Sequence, residues 1–408
     1  MFDIKGKYDT ARVFTDLVED QAVADILKLA NQEYMKDAGI RIMPDVHAGA
    51  GCVIGTTFNL REEKVCPNLV GVDIACGMRL GKIKTKVVDL PKLDKVIRQF
   101  IPSGRNIHKG IYEFKNLMSE VHQMKKKLED LVFRPKMDYC LLSLGTLGGG
   151  NHFIELNRDD DGSYYLVIHS GSRYLGKSVA DHYMRQAIAA FGGPNVSREE
   201  KERVVEEFKS SGKASDIPEA LRGLQKSGDV EDQSLAYVEG EEFHNYMHDI
   251  EIVSDYADLN KELMMHIIAR EMNWKFDEEF TTRHNYIDVG NKILRKGAVS
   301  AQKDEKLIIP MNMRDGSLIC VGKGNSNWNF SAPHGAGRLM SRTTAKETLS
   351  MEEFKSTMKD VYSTSVHAST IDEAPMAYKP MQMIIDNIGD TVDIVATIKP
   401  VYNFKAND

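Results

Sequence analysis

Cysteine is scarce in this chain, five among 408 residues, and the number is odd. A disulfide framework needs more and closer pairs, so the expectation is reduced thiols in a cytoplasmic protein. Long apolar runs are missing too. None approaches the ~20 residues that span a bilayer, and the opening Met-Phe-Asp-Ile-Lys-Gly-Lys has no apolar stretch of a secretory signal behind its charges. Nor is there an excess of positive charge: 53 Lys and Arg face 60 Asp and Glu, a formal charge of −7. That balance argues against holding nucleic acid by bulk electrostatics, though not against a local basic groove. Repeats and low-complexity tracts are absent as well. What is present, 42% hydrophobic and 28% charged residues, is the composition of a globular protein and excludes a mostly disordered chain.

Periodicity predicts an amphipathic helix over 20–37 and a short strand over 40–44 ended by proline. Glycine-bounded apolar runs at 53–55, 69–72 and 79–83 read as buried strands. Helical patterns follow over 91–101 and 111–132, then strand-like patches at 139–145 and 164–168. From 174 to 276 the chain reads as largely helical, with the polar interval 195–233 as a surface helical excursion without chemistry. Strand signals resume at 286–289, 307–309, 318–321 and 391–398. Between 82 and 109 stand Lys82, Lys84, Lys86, Lys92, Lys95, Arg98, Arg105 and Lys109, opposed only by Asp89 and Asp94. This run is either a solvated face or a phosphate track.

Reactive side chains gather at glycine-flanked turns after strand-like runs. In Val72-Asp-Ile-Ala-Cys-Gly-Met78, a loop can turn Asp73 and Cys76 toward one point. A hard carboxylate beside a soft thiolate suits Mn²⁺, Fe²⁺ or Zn²⁺ better than Mg²⁺ or Ca²⁺, although a lone buried cysteine is more often a packing residue. Gly145-Thr-Leu-Gly-Gly-Gly-Asn-His-Phe-Ile-Glu155 offers close backbone approach and N–H groups for an anion. It is no Walker or dinucleotide loop, and Asn151, His152 and Glu155 follow it directly. His169 ends an apolar strand in Ile168-His-Ser-Gly-Ser-Arg173, whose turn suits phosphate. His284 opens a strand beside Asn285. In Ser331-Ala-Pro-His-Gly-Ala-Gly-Arg338, His334 stands between a proline and glycines, with Arg338 near. His244 and His248, four apart in helical sequence, lack an H-E-x-x-H context and read as structural, as does His266. His108, His122, His182 and His367 have no supporting neighbours.

Asp73, Cys76, His152, His169 and His284 are enough ligands for two metals sharing the thiolate, and His334 is left over. Two close cations with a spare imidazole suit phosphoryl or nucleotidyl transfer, with the histidine attacking an α-phosphorus.

Met43-Pro-Asp-Val-His47, Gly71-Val-Asp-Ile-Ala-Cys-Gly-Met78, Leu144 to Glu155, His169-Ser-Gly-Ser-Arg173, His284-Asn-Tyr286, Arg295-Lys-Gly-Ala298, His334 to Arg338 with Met340-Ser-Arg342, and Asp372-Glu-Ala-Pro-Met-Ala-Tyr-Lys379 occur in this order. Together they resemble the RtcB family of RNA ligases. The resemblance implies one α+β domain over 1–408, with mixed sheets around a central metal cleft. It implies joining of RNA 2′,3′-cyclic-phosphate or 3′-phosphate ends to 5′-hydroxyl ends with GTP and two Mn²⁺, with an activating protein of the archease type as a further partner. Asp73, Cys76 and His152 would hold one Mn²⁺, and Cys76, His169 and His284 the other. His334 would take the GMP. The nucleotide contacts carried over are Asn151, His152, Phe153, Ile154, Glu155, His284, Asn285, Pro310, Met311, Asn312, Met313, Ser317, His334, Gly335, Ala336, Gly337, Tyr378 and Lys405. Two motifs depart from the family. His47-Ala-Gly-Ala-Gly51 replaces His-Leu-Gly-Lys-Gly, and Pro310-Met-Asn-Met-Arg314 replaces Pro-Gly-Ser-Met-Gly, leaving Ser317 and Arg314 as substitutes for the lost contacts. An enzyme that caps 3′-phosphate ends without efficient sealing is the alternative. A non-catalytic scaffold would be expected to have lost ligands.

Overall fold

Strands outnumber what the apolar runs alone announce, because several glycine-bounded pieces pair across long stretches of sequence. The computed structural model describes residues 1–110, 117–190, 203–208 and 233–406. Its strands begin with β1 (Phe2–Lys5), β2 (Thr10–Val13), β3 (Arg41–His47), β4 (Ile54–Asn59), β5 (Lys64–Val65) and β6 (Gly77–Ile83). Then come β7 (Phe153–Arg158), β8 (Tyr164–Ser170), β9 (Val238–Glu239), β10 (Phe276–Arg283), β11 (Asn285–Asp288) and β12 (Ile293–Lys296). The last are β13 (Ala298–Ser300), β14 (Lys306–Asn312), β15 (Gly316–Gly322), β16 (Ser331–Pro333) and β17 (Val392–Lys405).

Two sheets dominate. One has six strands in the order β1-β2-β3-β4-β12-β11, the other seven in the order β10-β6-β8-β7-β17-β15-β14. The seven-stranded sheet is antiparallel throughout, whereas β2 and β3 pair in parallel. Mixed sheets with helices make this an α+β fold. Leu166, Val167 and Ile168 of β8 are fully buried, as a central strand covered on both faces requires. One face takes the long helix Gly240–Met272, which packs on β6 and β8. Met78, Leu80, Phe153, Tyr165 and Val167 form the core of the other.

Register then does the positioning. Gly77 pairs with Ser170 and with Arg283, and His169 lies opposite both Met78 and Phe153. Cys76 precedes β6, His152 precedes β7, His169 lies near the end of β8, and His284 follows β10. The order β10-β6-β8-β7 therefore gathers all four at one edge of the sheet.

Some sequence expectations change. The helix over 20–37 ends at Ala30, followed by a 3₁₀ turn over Glu33–Met35. Residues 69–72 are no strand: a 3₁₀ turn, Pro67–Leu69, leads into the loop of Asp73. Residues 139–145 are no strand either. Met137–Ser143 is a helix, because a short buried apolar run does not by itself distinguish the two. Of the interval 195–233, residues 203–208 are helical and most of the rest lies outside the described residues, as do 111–116 of the helix expected over 111–132. All five thiols are free and buried, and no helix among the described residues is long and apolar enough to cross a membrane.

Candidate active site

The turn before β6 puts Ala75 in the left-handed region, φ 55°, and its N–H donates to the Asn285 carbonyl at 2.6 Å. The His284 N–H in turn donates to the Cys76 carbonyl at 2.9 Å. Asp73 and Cys76 are thereby tied to the strand junction that carries His284. Inside, the Cys76 Sγ lies 3.4 Å from His152 Nε2 and 3.2 Å from His169 Nε2. His169 Nε2 is 3.3 Å from His284 Nε2, and His152 Nε2 is 2.9 Å from Asp73 Oδ2. Two triads result, Asp73–Cys76–His152 and Cys76–His169–His284, each with its ligand atoms within 4.8 Å of one another.

The outer ring nitrogens decide the tautomers. His152 Nδ1 donates to the Leu147 carbonyl at 2.8 Å and His169 Nδ1 to that of Asn151 at 3.2 Å, so His169 Nε2 turns a lone pair inward while His152 Nε2 is directed at Asp73. Burial, followed by the charges of neighbouring imidazoles, holds His169 and His284 well below the usual histidine range. Burial and then the Asp73 carboxylate push the Cys76 thiol well above its own. For Asp73, burial works upward, but the hydrogen bond and charge of His152 outweigh it and keep the carboxyl low. Imidazoles, a carboxylate and a thiol crowded together form a donor set that suits a divalent cation. The buried His284 Nδ1 has no partner among the described residues. The backbone also makes room, since a Cβ at Gly171 would lie 2.0 Å from Asp73 Oδ1. The donor set fits a pair of soft-tolerant divalent cations sharing one sulfur.

His334 stands beside this cluster, its ring centroid 4.8 Å from that of His284. Its Nδ1 lies 2.7 Å from Asp45 Oδ2, which also accepts the His334 backbone N–H at 3.1 Å. Asp45 is fully buried. Its Oδ2 as acceptor leaves Nδ1 protonated and Nε2 with the lone pair, the arrangement of a nucleophile. The wall is tight: a Cβ at Gly337 would lie 2.2 Å from the Asp45 carbonyl oxygen, and one at Gly297 3.2 Å from His334 Cε1. Lys379 Nζ, also buried, donates to the carbonyls on either side of Asp45, Pro44 at 3.2 Å and Val46 at 2.8 Å. His47 stacks 6.3 Å from His334 and donates from Nδ1 to the Asp45 carbonyl at 2.8 Å. Burial pushes its imidazole down to about 4. Sequence reasoning missed Asp45, His47 and Lys379 as parts of the site, although each lies within a motif it singled out.

A cavity of about 460 Å³ opens in front of His334, a size that small ligands occupy. Of the expected nucleotide contacts, Asn151, Phe153, Glu155, His284, Pro310, Met311, Asn312, Met313, His334, Gly335, Ala336, Gly337, Tyr378 and Lys405 line it. His152, Ile154, Asn285 and Ser317 do not. His152 faces the ligand cluster and Ile154 is buried in the main core. Asn285 Oδ1 accepts the Gly297 N–H at 2.8 Å, and the Ser317 hydroxyl is buried without a partner among the described residues. Arg314 turns outward onto Asp315 at 2.6 Å, so it replaces no phosphate contact of the altered loop. Arg173 is no phosphate ligand of its turn either: its guanidinium bonds Thr146 Oγ1 and the Gly104 carbonyl. The cavity's two buried carboxyls differ sharply. Burial lifts Glu155 to about 7 against the hydrogen bonds of Asn403 and Asn157. In Glu373 burial is outweighed by Lys405 and Arg342, which hold it down at about 2. Lys405 Nζ lies 2.5 Å from Glu373, and the Tyr378 hydroxyl donates to the same carboxylate at 2.8 Å. His244 and His248 join no ligand cluster: the first faces exposed Glu63 at 3.3 Å, the second the Asp130 carbonyl at 3.2 Å.

An oriented imidazole between a cavity of small-ligand size and a cluster that could hold a metal ion is the arrangement of an enzyme active site on an α+β scaffold. Comparison with known proteins narrows it. A family model described as tRNA-splicing ligase RtcB matches residues 26–406, and the chain belongs to the RtcB family. RNA-splicing ligase RtcB of Escherichia coli strain K12 is 30% identical over 395 residues, covering 89% of this chain and 88% of that protein. RNA-splicing ligase RtcB1 of Escherichia coli strain ATCC 25922 matches at the same identity and coverage. The tRNA-splicing ligase RtcB of Aeropyrum pernix is 27% identical over 441 residues, covering 88% and 86%.

Proposed function

We infer that the chain is an RNA ligase that joins 3′-phosphate or 2′,3′-cyclic-phosphate ends to 5′-hydroxyl ends, using GTP and guanylylating His334. The observation that carries this reading is the 2.7 Å bond from His334 Nδ1 to Asp45, which frees Nε2 toward the cavity. Asp73, Cys76 and His152 would hold one Mn²⁺ and Cys76, His169 and His284 the second, supplying positive charge to phosphate oxygens. His334 Nε2 attacks the α-phosphorus of GTP, forming a P–N bond as the bond to pyrophosphate breaks. Asp45 compensates the charge that grows on the ring. An oxygen of the RNA 3′-phosphate then displaces the ring, which leaves as neutral imidazole because Nδ1 keeps its proton throughout. The 5′-hydroxyl next attacks the activated 3′-phosphorus, GMP leaves, and the hydroxyl's proton passes to solvent. A cyclic phosphate is opened by water beforehand. Glu155, Lys405 and Tyr378, which line the cavity, would offer a guanine base donors, acceptors and a ring face.

Incubation with α-labelled GTP and Mn²⁺ tests this. The expected product is an acid-labile, alkali-stable protein adduct, lost in His334→Ala; equal labelling of that variant would overturn the assignment. A second reading, guanylylation of 3′-phosphate ends with poor sealing, is favoured by the Pro310–Arg314 loop, which lacks the family's glycines. Sealing of a cyclic-phosphate-ended stem–loop, followed on a gel, separates the two.

A further inference from the structure

The cavity in front of His334 reaches His169 and His284, but none of Asp73, Cys76 and His152 lines it. That second triad therefore stands off the cavity wall. The Asp73 side chain is 32% exposed, although Cys76 and His152 are buried. Asn151, exposed and part of the cavity wall, directly precedes His152.

The end of the basic run between 82 and 109 packs against the loop that carries His152. Leu147 N–H donates to the Pro102 carbonyl at 2.9 Å, and Gly104 N–H to that of Gly148, also at 2.9 Å. Arg173 bridges Thr146 and Gly104 beneath them, and the N–H of Ser172 holds Asp73 Oδ1 at 3.0 Å. Leu147 is also the residue whose carbonyl fixes His152. Segment 102–104 is thus one hydrogen-bonded layer from a ligand of the cluster.

The charges divide into two groups. Lys84 is paired with Asp277, Arg98 with Asp94, and Lys82 lies over the Tyr165 ring. Both acids of the run are engaged: Asp89 caps the helix Leu90–Phe100 through the Lys92 N–H, and Asp94 is buried with Arg98, Thr364 and Tyr402. Lys86, Lys92, Lys95, Arg105 and Lys109 remain exposed, with no ion pair among the described residues. On a chain of net charge −7, this run of cations includes Arg105, which directly follows the segment bonded to Leu147 and Gly148.

We propose that this edge is the landing track for the RNA substrate, with Arg105 and Lys109 on backbone phosphates and the reacting end entering past Asp73, while the nucleotide uses the His334 cavity. The proposal rests on the RNA-ligase reading and assigns its two substrates separate entrances. Phosphate contacts of this kind fix position without reading sequence.

The test is the pair Arg105→Glu/Lys109→Glu in the Mn²⁺-loaded full chain. Binding of a fluorescent single-stranded RNA with a 3′-phosphate is measured without GTP between about 50 and 200 mM salt. The expected result is an affinity lower by about tenfold or more, with a log–log salt slope shallower by about 1.4, roughly 0.7 for each lost contact on a single strand. Labelling of His334 by GTP, which needs no RNA, stays at the wild-type level. Arg105→Gln/Lys109→Gln gives the same slope change with a smaller affinity loss, and the charge-matched Lys5→Glu/Lys36→Glu leaves RNA binding as in the wild type. Wild-type RNA affinity and slope in the Glu pair would overturn the proposal. So would a loss of GTP labelling parallel to the loss of RNA binding, or an equal loss in the charge-matched control. If the wild type itself takes no label from GTP, the ligase reading fails instead.

Discussion

Asp45 shows how much a single buried side chain decides. Its carboxylate accepts from both the ring and the backbone of His334, and nothing about an aspartate in Met-Pro-Asp-Val-His announces that its partner lies 289 residues away. An asparagine there fills the same space but turns the logic around. Its amide can donate to Nδ1, which places the ring proton on Nε2 and removes the nucleophilic lone pair. Asp45→Asn is expected to slow formation of the labelled adduct by about 10²–10⁴, with nucleotide affinity nearly unchanged. The pair of measurements is the initial rate of labelling and equilibrium binding of GTP; a rate within a few-fold of wild type would remove Asp45 from the chemistry.

Strand edges explain why the ligands are legible in the sequence and the nucleotide wall less so. Asp73, Cys76, His152 and His169 each stand within two residues of a glycine, His284 directly precedes the strand Asn285–Asp288, and antiparallel register brings these strand ends side by side. The sequence displays the runs and the polar residue at each end, so the donor set can be read without knowing the pairing. The helix Met137–Ser143 reads as a strand because Cys-Leu-Leu in a buried position satisfies both periods. Motif alone carries Ile154 and Ser317 into the nucleotide wall, but on a strand alternate residues face opposite ways, and these two turn from the cavity. The same edge geometry makes an asymmetric prediction about metals. Cys76 belongs to both triads and His152 to one. Cys76→Ala should therefore abolish high-affinity binding of both Mn²⁺ ions, whereas His152→Ala should keep one, as read by elemental analysis after gel filtration. One retained ion in both variants would contradict a shared sulfur.

Across the whole molecule, acidity is offset locally: Lys405, Arg338 and Arg342 collect around Glu373. The strand β17 delivers Lys405 beside Phe153 at the end of β7, so the last strand and the first ligand loops share one electrostatic network. Glu155 and Glu373 then give opposite pH dependences from a single cavity. The depressed carboxyl of Glu373 contributes stability above its ordinary value of 4.5 and loses it as pH falls toward about 2. Glu155 is raised instead, so its contribution is complete below 4.5 and is lost as pH rises toward about 7, since the unfolded chain releases the proton first. Urea unfolding of the metal-free wild type and of Glu155→Gln at a series of pH values isolates this, because the metal ligands titrate alike in both. The stability of the wild type relative to the variant should decline between pH 4.5 and 7 by up to roughly 3 kcal/mol, at about 1.36 kcal/mol for each pH step of one across that window. Above that range the difference should be flat. A difference that does not change across the window would mean that Glu155 is ionised throughout, and that Lys405 is shared between two carboxylates instead of being committed to Glu373.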